Sequence, residues 1–477
     1  MRFHFIHILR YHAQQPLSQE KLDSQADFND DRYLKEHERL EAIISDSEDI
    51  WEERTYFYHS PVFIALWAIT TISGVWLMIR RKTIKKPATF FLHIAFVLML
   101  AGALLTLLTG KSGSMYLRRG ETSANWSSDQ GFRQKLPFKL TLKDFSIEYY
   151  PGTKDPSDYI SKVVVSDTGT EYAISMNNIL KYGGYRFYQT SYDSDLNGSV
   201  FSVSHDPWGV SVTYTGYIIL LLSMIGFFLQ KNSGFRVALK ARSEGFSKPV
   251  RTVLLVLNIL LFGYLTFVIG RNWYRSGHGP FVGTYSVMML MAWLVSVAMA
   301  LLRNRLPIIQ PLGFVLAGFS ILVASLSFSD PEANLMPVLR SPLLSVHVLC
   351  MMVSYTLFGL VALIGVVGLI KRDDGTRSML RDMSLSIVYP AVFMLTTGTF
   401  IGAVWANISW GSYWAWDPKE TWALITMLVY AAMLHSSTVS RFAKPGFFHA
   451  YAIIAFLTVL ITYFGVNFLL GGMHSYA

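Results

Sequence analysis

"WGSYWAWDPKETWALI" occupies Trp410–Ile425 and packs four tryptophans and a tyrosine between two long apolar segments. The flanks decide the architecture. Apolar runs of about 18 or more residues are candidate membrane spans, because about 20 helical residues cross about 30 Å of hydrocarbon. Ten such runs are read at 61–79, 87–109, 209–230, 251–270, 281–302, 307–328, 342–370, 383–404, 421–439 and 447–470. With 52% hydrophobic and 15% charged residues, the chain is too apolar for an ordinary soluble protein. The fold expected is an all-α polytopic membrane protein of about ten helices with a small extracytoplasmic β-rich domain.

Charge fixes an orientation. Residues 80–86 carry five Lys/Arg and no acid, and 231–251 carry six against one acid. The turns at 303–305 and 441–444 carry two each, and 371–382 carry four against three acids. The positive-inside rule puts these in the cytoplasm. The tail 1–60, with seven Lys/Arg and thirteen Asp/Glu, then lies outside, as do 110–208, 271–280, 329–341, the aromatic loop 405–422 and the C-terminus. "FHFIHILRYH" (Phe3–His12) is too short and polar for a signal-peptide core, so an upstream span or another start is expected. The +9 formal charge is accounted for by these loops, and no nucleic-acid partner is expected.

The chain divides into a tail (1–60), a block of three spans with an outside domain (61–230), a cytoplasmic linker (231–250) and a helical block (251–477). Within 110–208, "LPFKLTLKDFSIEYY" (Leu136–Tyr150) and "ISKVVVSDTGTEYAISM" (Ile160–Met176) alternate apolar and polar residues around a turn dipeptide, and "GGYRFYQTSYD" follows. These are strands, and a small antiparallel sheet is expected. The single cysteine, Cys350, lies inside a span, so no internal disulfide can form and any reductant must come from a partner.

The opening stretch has a bland reading. Trp and Tyr favour membrane interfaces. Asp417-Pro418-Lys419-Glu420 is also a good helix start, with Asp as cap, Pro first and Glu three residues on. A belt does not explain the density, however. Trp405, Trp410, Tyr413, Trp414, Trp416 and Trp422 are expected to form a continuous aromatic surface suited to a flat aromatic ligand.

Histidines give a second signal, because ionisable groups in membranes are costly and lean functional. His347 lies about five residues inside the outer end of its span, and His474 follows the outer end of the last span. His93 lies about 9 Å above the inner face, and His435 about 10 Å above it. Two pairs, each at one depth, suit bis-histidine heme ligation or a proton relay. His59, His205, His278 and His449 read as packed or solvated side chains, with His278 in "SGHGP" the nearest to an extra outer ligand.

At these residues the chain resembles a known family. "WGSYWAWDPKETWALI" resembles the tryptophan-rich WWD signature of the heme-handling proteins of cytochrome c biogenesis. "SVHVLCMMVSY" (Ser345–Tyr355) and "GVNFLLGGMHSYA" (Gly465–Ala477) look like the flanking histidine motifs of the CcsA type. "TFFLHIAFVLMLAGALL" (Thr89–Leu105) followed by "YRFYQTSYD" resembles the ResB (CcsB) partner, so the whole is similar to a fused System II cytochrome c synthase. Two departures stand out: the ResB-like half lacks its usual first span, and Ser286 in "GPFVGTYSVMM" stands where the family often has Glu.

The resemblance implies export of heme b from the cytoplasm and its attachment to the CxxCH motif of an apocytochrome c at the outer face of a bacterial inner membrane. It makes His347 and His474 the outer axial pair and His93 and His435 the membrane pair. The tryptophan loop (Trp405, Trp410, Tyr413, Trp414, Trp416, Trp422) would grip heme. His347, His474, Trp410, Trp414, Trp416 and Asp417 would form the catalytic set, acting by proximity and orientation. Partners implied are the apocytochrome, a thioredoxin-like thiol reductase and membrane lipid. A heme exporter or chaperone without ligation activity, and a small-solute transporter with histidine proton relays, are the alternatives.

Overall fold

The computed structural model describes residues 57–470 except 59, 232, 242–244 and 437. The tail 1–56, His59 and His474 lie outside the described residues.

Among the described residues, nine helices are long and apolar enough to cross a membrane. They lie at Pro61–Arg80, Pro87–Thr109, Gly209–Leu229, Lys248–Ser276, Thr284–Leu302, Ile309–Leu326, Pro342–Ile370, Asp374–Ser409 and, over Pro445–Leu470 in all, the helix that starts as Pro445–Leu460. The last continues as π-helix through Ile461–Leu470. Eight of the expected ten runs coincide with these helices closely, and the run 383–404 sits inside the longer Asp374–Ser409. The tenth, 421–439, is corrected in its bounds. Its helix is Pro418–Met433, 16 residues, and it stops where the polar run His435–Ser440 begins. Beyond it, Thr438 and Val439 N–H are both bonded to the His435 carbonyl.

Packing divides the chain into two compact units. One holds the residues up to Leu220 together with Ala406–Trp416; the other holds Leu221–Trp405 and Asp417 onward. The boundaries fall inside two helices, and part of the tryptophan-rich loop belongs to the first unit.

In the first unit an eight-stranded antiparallel sheet runs β1(Lys111–Arg118), β2(Thr122–Ser128), β3(Arg133–Tyr149), β4(Pro156–Val165), β5(Glu171–Ile174), β6(Leu180–Tyr182), β7(Tyr185–Tyr192) and β8(Gly198–His205). Its spatial order is β5-β4-β3-β2-β1-β8-β7-β6. The sequence alternation is realised as register: Leu136, Phe138, Leu140 and Leu142 of β3 all point into a core with Val163, Val165, Phe187, Phe201 and Val203. Bulges at Leu142/Asp144 and Gln189/Ser191 bend the sheet. Strands distant in the sheet therefore meet: Ser161 of β4 donates to Gln189 of β7 at 2.6 Å and bonds Ser199 of β8 at 2.8 Å.

The two helices that flank the sheet in the chain approach each other closely by their backbones. A Cβ at Gly102 would stand 2.2 Å from the Thr213 hydroxyl oxygen, so only glycine lets Pro87–Thr109 and Gly209–Leu229 touch there. Asp206 caps the second helix, accepting from Gly209 N–H at 2.7 Å.

The second unit is helical. One buried polar pair there is mutually satisfied, as an apolar surrounding favours: Asn258 bonds the Ser296 carbonyl at 3.2 Å and its hydroxyl at 2.7 Å. Phe358 and Tyr430 stack at 3.5 Å in its core.

Candidate functional site

The tryptophan-rich segment begins as the last turn of Asp374–Ser409 and leaves it at Trp410. Gly411 has φ +86°, and a Cβ there would meet the Tyr188 ring at 3.0 Å, so glycine is required on both counts. The chain then runs to Trp416, whose φ of +57° is left-handed. For a bulky residue that conformation is a genuine outlier and must be held by its surroundings. The holders are aromatic. The Trp416 ring stacks on Tyr58 at 4.6 Å and 7°, meets Phe63 edge-on at 5.0 Å, and has Trp414 perpendicular at 5.7 Å.

Two polar clusters tie the same segment to the sheet unit. Asn407 accepts from the Tyr214 hydroxyl at 2.7 Å and from the Arg186 guanidinium at 3.1 Å, and its amide N–H donates to the Gly411 carbonyl at 3.3 Å. Thr106 donates to the Asp206 carboxylate at 2.6 Å and lies 2.9 Å from the Tyr413 hydroxyl. Since the Thr106 proton is committed to Asp206, Tyr413 is the donor to Thr106. Burial raises the Tyr413 phenol, which keeps that proton in place. Tyr188, beside Gly411, is pushed up to about 12 by burial, with Arg186 opposing.

The expected continuous aromatic surface is therefore corrected. Trp405, Trp410 and Tyr413 are 1%, 8% and 8% exposed and serve as core. Trp414, Trp416 and Trp422 are half-buried. Aromatic density alone could not separate the two groups, because interior and ligand-facing tryptophans obey the same apolar rule.

At Asp417, which is fully buried, the chain re-enters the second unit. It caps Pro418–Met433: its carboxylate accepts from Lys419 N–H at 2.9 Å, while Glu420 accepts from Asp417 N–H at 3.3 Å. That is the reciprocal capping box read from Asp-Pro-Lys-Glu. Lys419 reaches Asn467 at 2.7 Å.

The histidines differ in tautomer. His347, on Pro342–Ile370, has Nδ1 2.7 Å from the Gly398 carbonyl of Asp374–Ser409. A Cβ at Gly402 would stand 2.5 Å from that nitrogen. Gly398 and Gly402, four apart on one helix face, thus make the slot for the imidazole. His93 has Nδ1 2.7 Å from the Thr89 carbonyl, and His435 has Nδ1 2.7 Å from the Ala431 carbonyl. A carbonyl can only accept, so in each neutral ring Nδ1 carries the proton and Nε2 the lone pair. Nε2 is thereby the ring atom that could ligate a metal, with the ring oriented by a backbone carbonyl as in many metal-binding histidines.

His449 is the reverse case. Its Nε2 donates to the Arg377 carbonyl at 3.0 Å, its ring presses on Gly368, and it is fully buried. His278 has both nitrogens at carbonyls, Gly279 at 3.1 Å and Ala333 at 3.0 Å, which spends it on tying two loops. The expected depth of His435 is corrected. It lies in the turn after Met433 with its side chain exposed, not inside a continuing span. His93 belongs to the first unit and His435 to the second.

Sequence reasoning passed over Arg186, Asn407, Tyr214, Thr106 and Asp206. Nothing local marks them. Gly398 and Gly402 were findable, since small residues four apart in a span signal close approach.

Comparison with known proteins agrees with this architecture. Residues 281–474 match the Cytochrome C assembly protein family, and residues 66–200 match the ResB-like family. The cytochrome c biogenesis protein CcsA of Guillardia theta is 30% identical over 315 residues, covering 58% of this chain and 99% of that protein. This chain belongs to the CcsA cytochrome c biogenesis family. CcsA of Synechococcus sp. (strain CC9605) is 31% identical over 311 residues, 56% of this chain and 95% of that protein. Protein NrfI of Wolinella succinogenes is 35% identical over 262 residues, but the chain spans only 29% of its length. The chain is thus a ResB-like region joined to a CcsA-type region. His93 lies in the ResB-like match, and His347, His435 and the tryptophan loop in the CcsA-type match.

Proposed function

We propose that this protein carries heme b across a bacterial inner membrane and attaches it to the CxxCH motif of apocytochromes c at the outer face. The observation that carries the reading is the shared tautomer of His93, His347 and His435, each with Nδ1 2.7 Å from a carbonyl. That donor set fits heme iron. His347, with His474, would hold it at the outer face, and His93, with His435, would receive it nearer the cytoplasm. The sidedness rests on the basic loops. The +9 charge is then a membrane signature, and lipid is the only expected polyanionic surface.

The bond-forming step adds a thiol S–H across a heme vinyl group. Sulfur bonds one vinyl carbon, hydrogen ends on the other, and no net electrons are consumed. The protein's task is to fix the ring and admit the peptide, which is catalysis by orientation. Half-buried Trp414 and Trp416 supply rigid faces, and His347 fixes the axis. Both acceptor thiols must stay reduced, and Cys350 is the chain's one thiol, so a thioredoxin-like reductase is the expected partner.

The visible spectrum of detergent-purified protein tests the reading, with a low-spin bis-histidine b-type spectrum expected. A colourless, folded protein from heme-replete cells would overturn it and favour a proton-relay transporter. Heme bound without thioether formation, in a reconstituted mixture with apocytochrome and reductant, would leave an exporter or chaperone.

A further inference from the structure

The CcsA-type tryptophan segment is anchored by side chains of the sheet unit, from the ResB-like region (Thr106, Asn177, Arg186) and just beyond it (Asp206, Tyr214). Ala406–Trp416 clusters with the sheet unit, and two sets of hydrogen bonds make the join. Asn407 receives the Arg186 guanidinium and the Tyr214 hydroxyl at 3.1 and 2.7 Å. Tyr413 donates to Thr106, itself bonded to Asp206. Ser409 adds a bond to Asn177 at 3.4 Å. Asn407 and Tyr413 are buried, so their bonds are shielded from competing water. The anchors sit on both sides of Gly411, whose left-handed turn redirects the chain toward Trp414 and Trp416.

We propose that Arg186, Tyr214 and Thr106 are positioning residues for the tryptophan segment. The ResB-like region holds this segment in one conformation, so that Trp414 and Trp416 are presented ready-made rather than ordered by the ligand. Fixing the segment beforehand removes an ordering cost from each turnover. This inference rests on the heme-attachment reading and adds a role for the ResB-like half. None of the three residues need touch heme.

The test uses the full-length protein and separates heme content from cytochrome c yield. Tyr413→Phe and Arg186→Leu should accumulate and keep inner heme, while cytochrome c yield falls about tenfold, the usual worth of one buried hydrogen bond. Thr106→Ser, which keeps the hydroxyl, should retain the yield, whereas Thr106→Val should lower it. A second arm installs a covalent lock, Asn177→Cys with Ser409→Cys in a Cys350→Ser background. Cross-linking is read on non-reducing gels after cleavage at a protease site inserted in the linker. Cross-linked Tyr413→Phe should recover at least about half of the yield, because the lock replaces the lost bond. Cross-linked, heme-loaded protein that stays defective overturns the proposal, as do undiminished yields in the single variants. A wild-type protein without heme sinks the functional reading and this inference together. An active, heme-loaded wild type beside undiminished variants sinks this inference alone.

Discussion

His347 and His449 sit in the same helical unit, both on apolar helices, and are indistinguishable by composition. Their surroundings make them opposites. His347 donates from Nδ1 to the Gly398 carbonyl, which leaves the lone pair on Nε2. His449 gives its Nε2 proton to the Arg377 carbonyl and is closed in against Gly368. A helix carbonyl in reach of one ring nitrogen or the other thus decides which tautomer each histidine adopts. The contrast teaches that position along a span selects candidates, while the backbone carbonyl within reach sets which ring nitrogen keeps its lone pair.

Removing each ring tests the contrast most strongly. His347→Gly should lower cytochrome c yield by about a hundredfold or more, since a group acting in the rate-determining geometry is lost. Added imidazole should restore part of it. His449→Phe should reduce the amount of folded protein and leave the heme spectrum per folded molecule unchanged. A changed spectrum in the His449 variant would erase the distinction.

Filling the two glycine slots sharpens it. Gly402→Ala places a Cβ 2.5 Å from His347 Nδ1, and Gly368→Ala places one 2.5 Å from His449 Nε2. Overpacking of this kind costs about 1–3 kcal/mol in each case. The thermal midpoint should fall for both, but only Gly402→Ala should shift the spectrum away from bis-histidine. Equal spectral effects would show that the slots are not specific to their rings.

A smaller effect concerns Asp417. Asp417→Ala should cost about 1 kcal/mol through the lost cap, and Asp417→Asn or Asp417→Ser should restore it. Near-normal cytochrome c yield in the Asn and Ser variants assigns Asp417 to helix initiation. Loss of yield with heme and protein intact would instead give its carboxylate a part in the chemistry.

Much of this was legible in one dimension. The apolar runs located nine helices because each must satisfy its backbone within a single segment, which makes hydropathy a local property. The alternation in Leu136–Leu142 located β3 for the same kind of reason. Asp-Pro-Lys-Glu announced its cap, since all three partners lie within four residues. The tenth run ends earlier than expected because the apolar count ran across His435–Ser440, where polar residues end the helix. The aromatic surface failed because Trp405 and Trp410 are as apolar inside a protein as against a ligand.

By itself the sequence determined the membrane spans, the sheet, the capping box and the family, because each depends on neighbours near in the chain or on motifs read in order. Only the tertiary structure decided the ring tautomers, the strained Trp416 and the attachment of Ala406–Trp416 to the sheet unit. Those features depend on partners far apart in the chain, with Tyr413 bonded to Thr106 and Asn407 to Arg186. Hydrogen bonds of that kind are fixed by where folded backbones pass, and no local pattern encodes them.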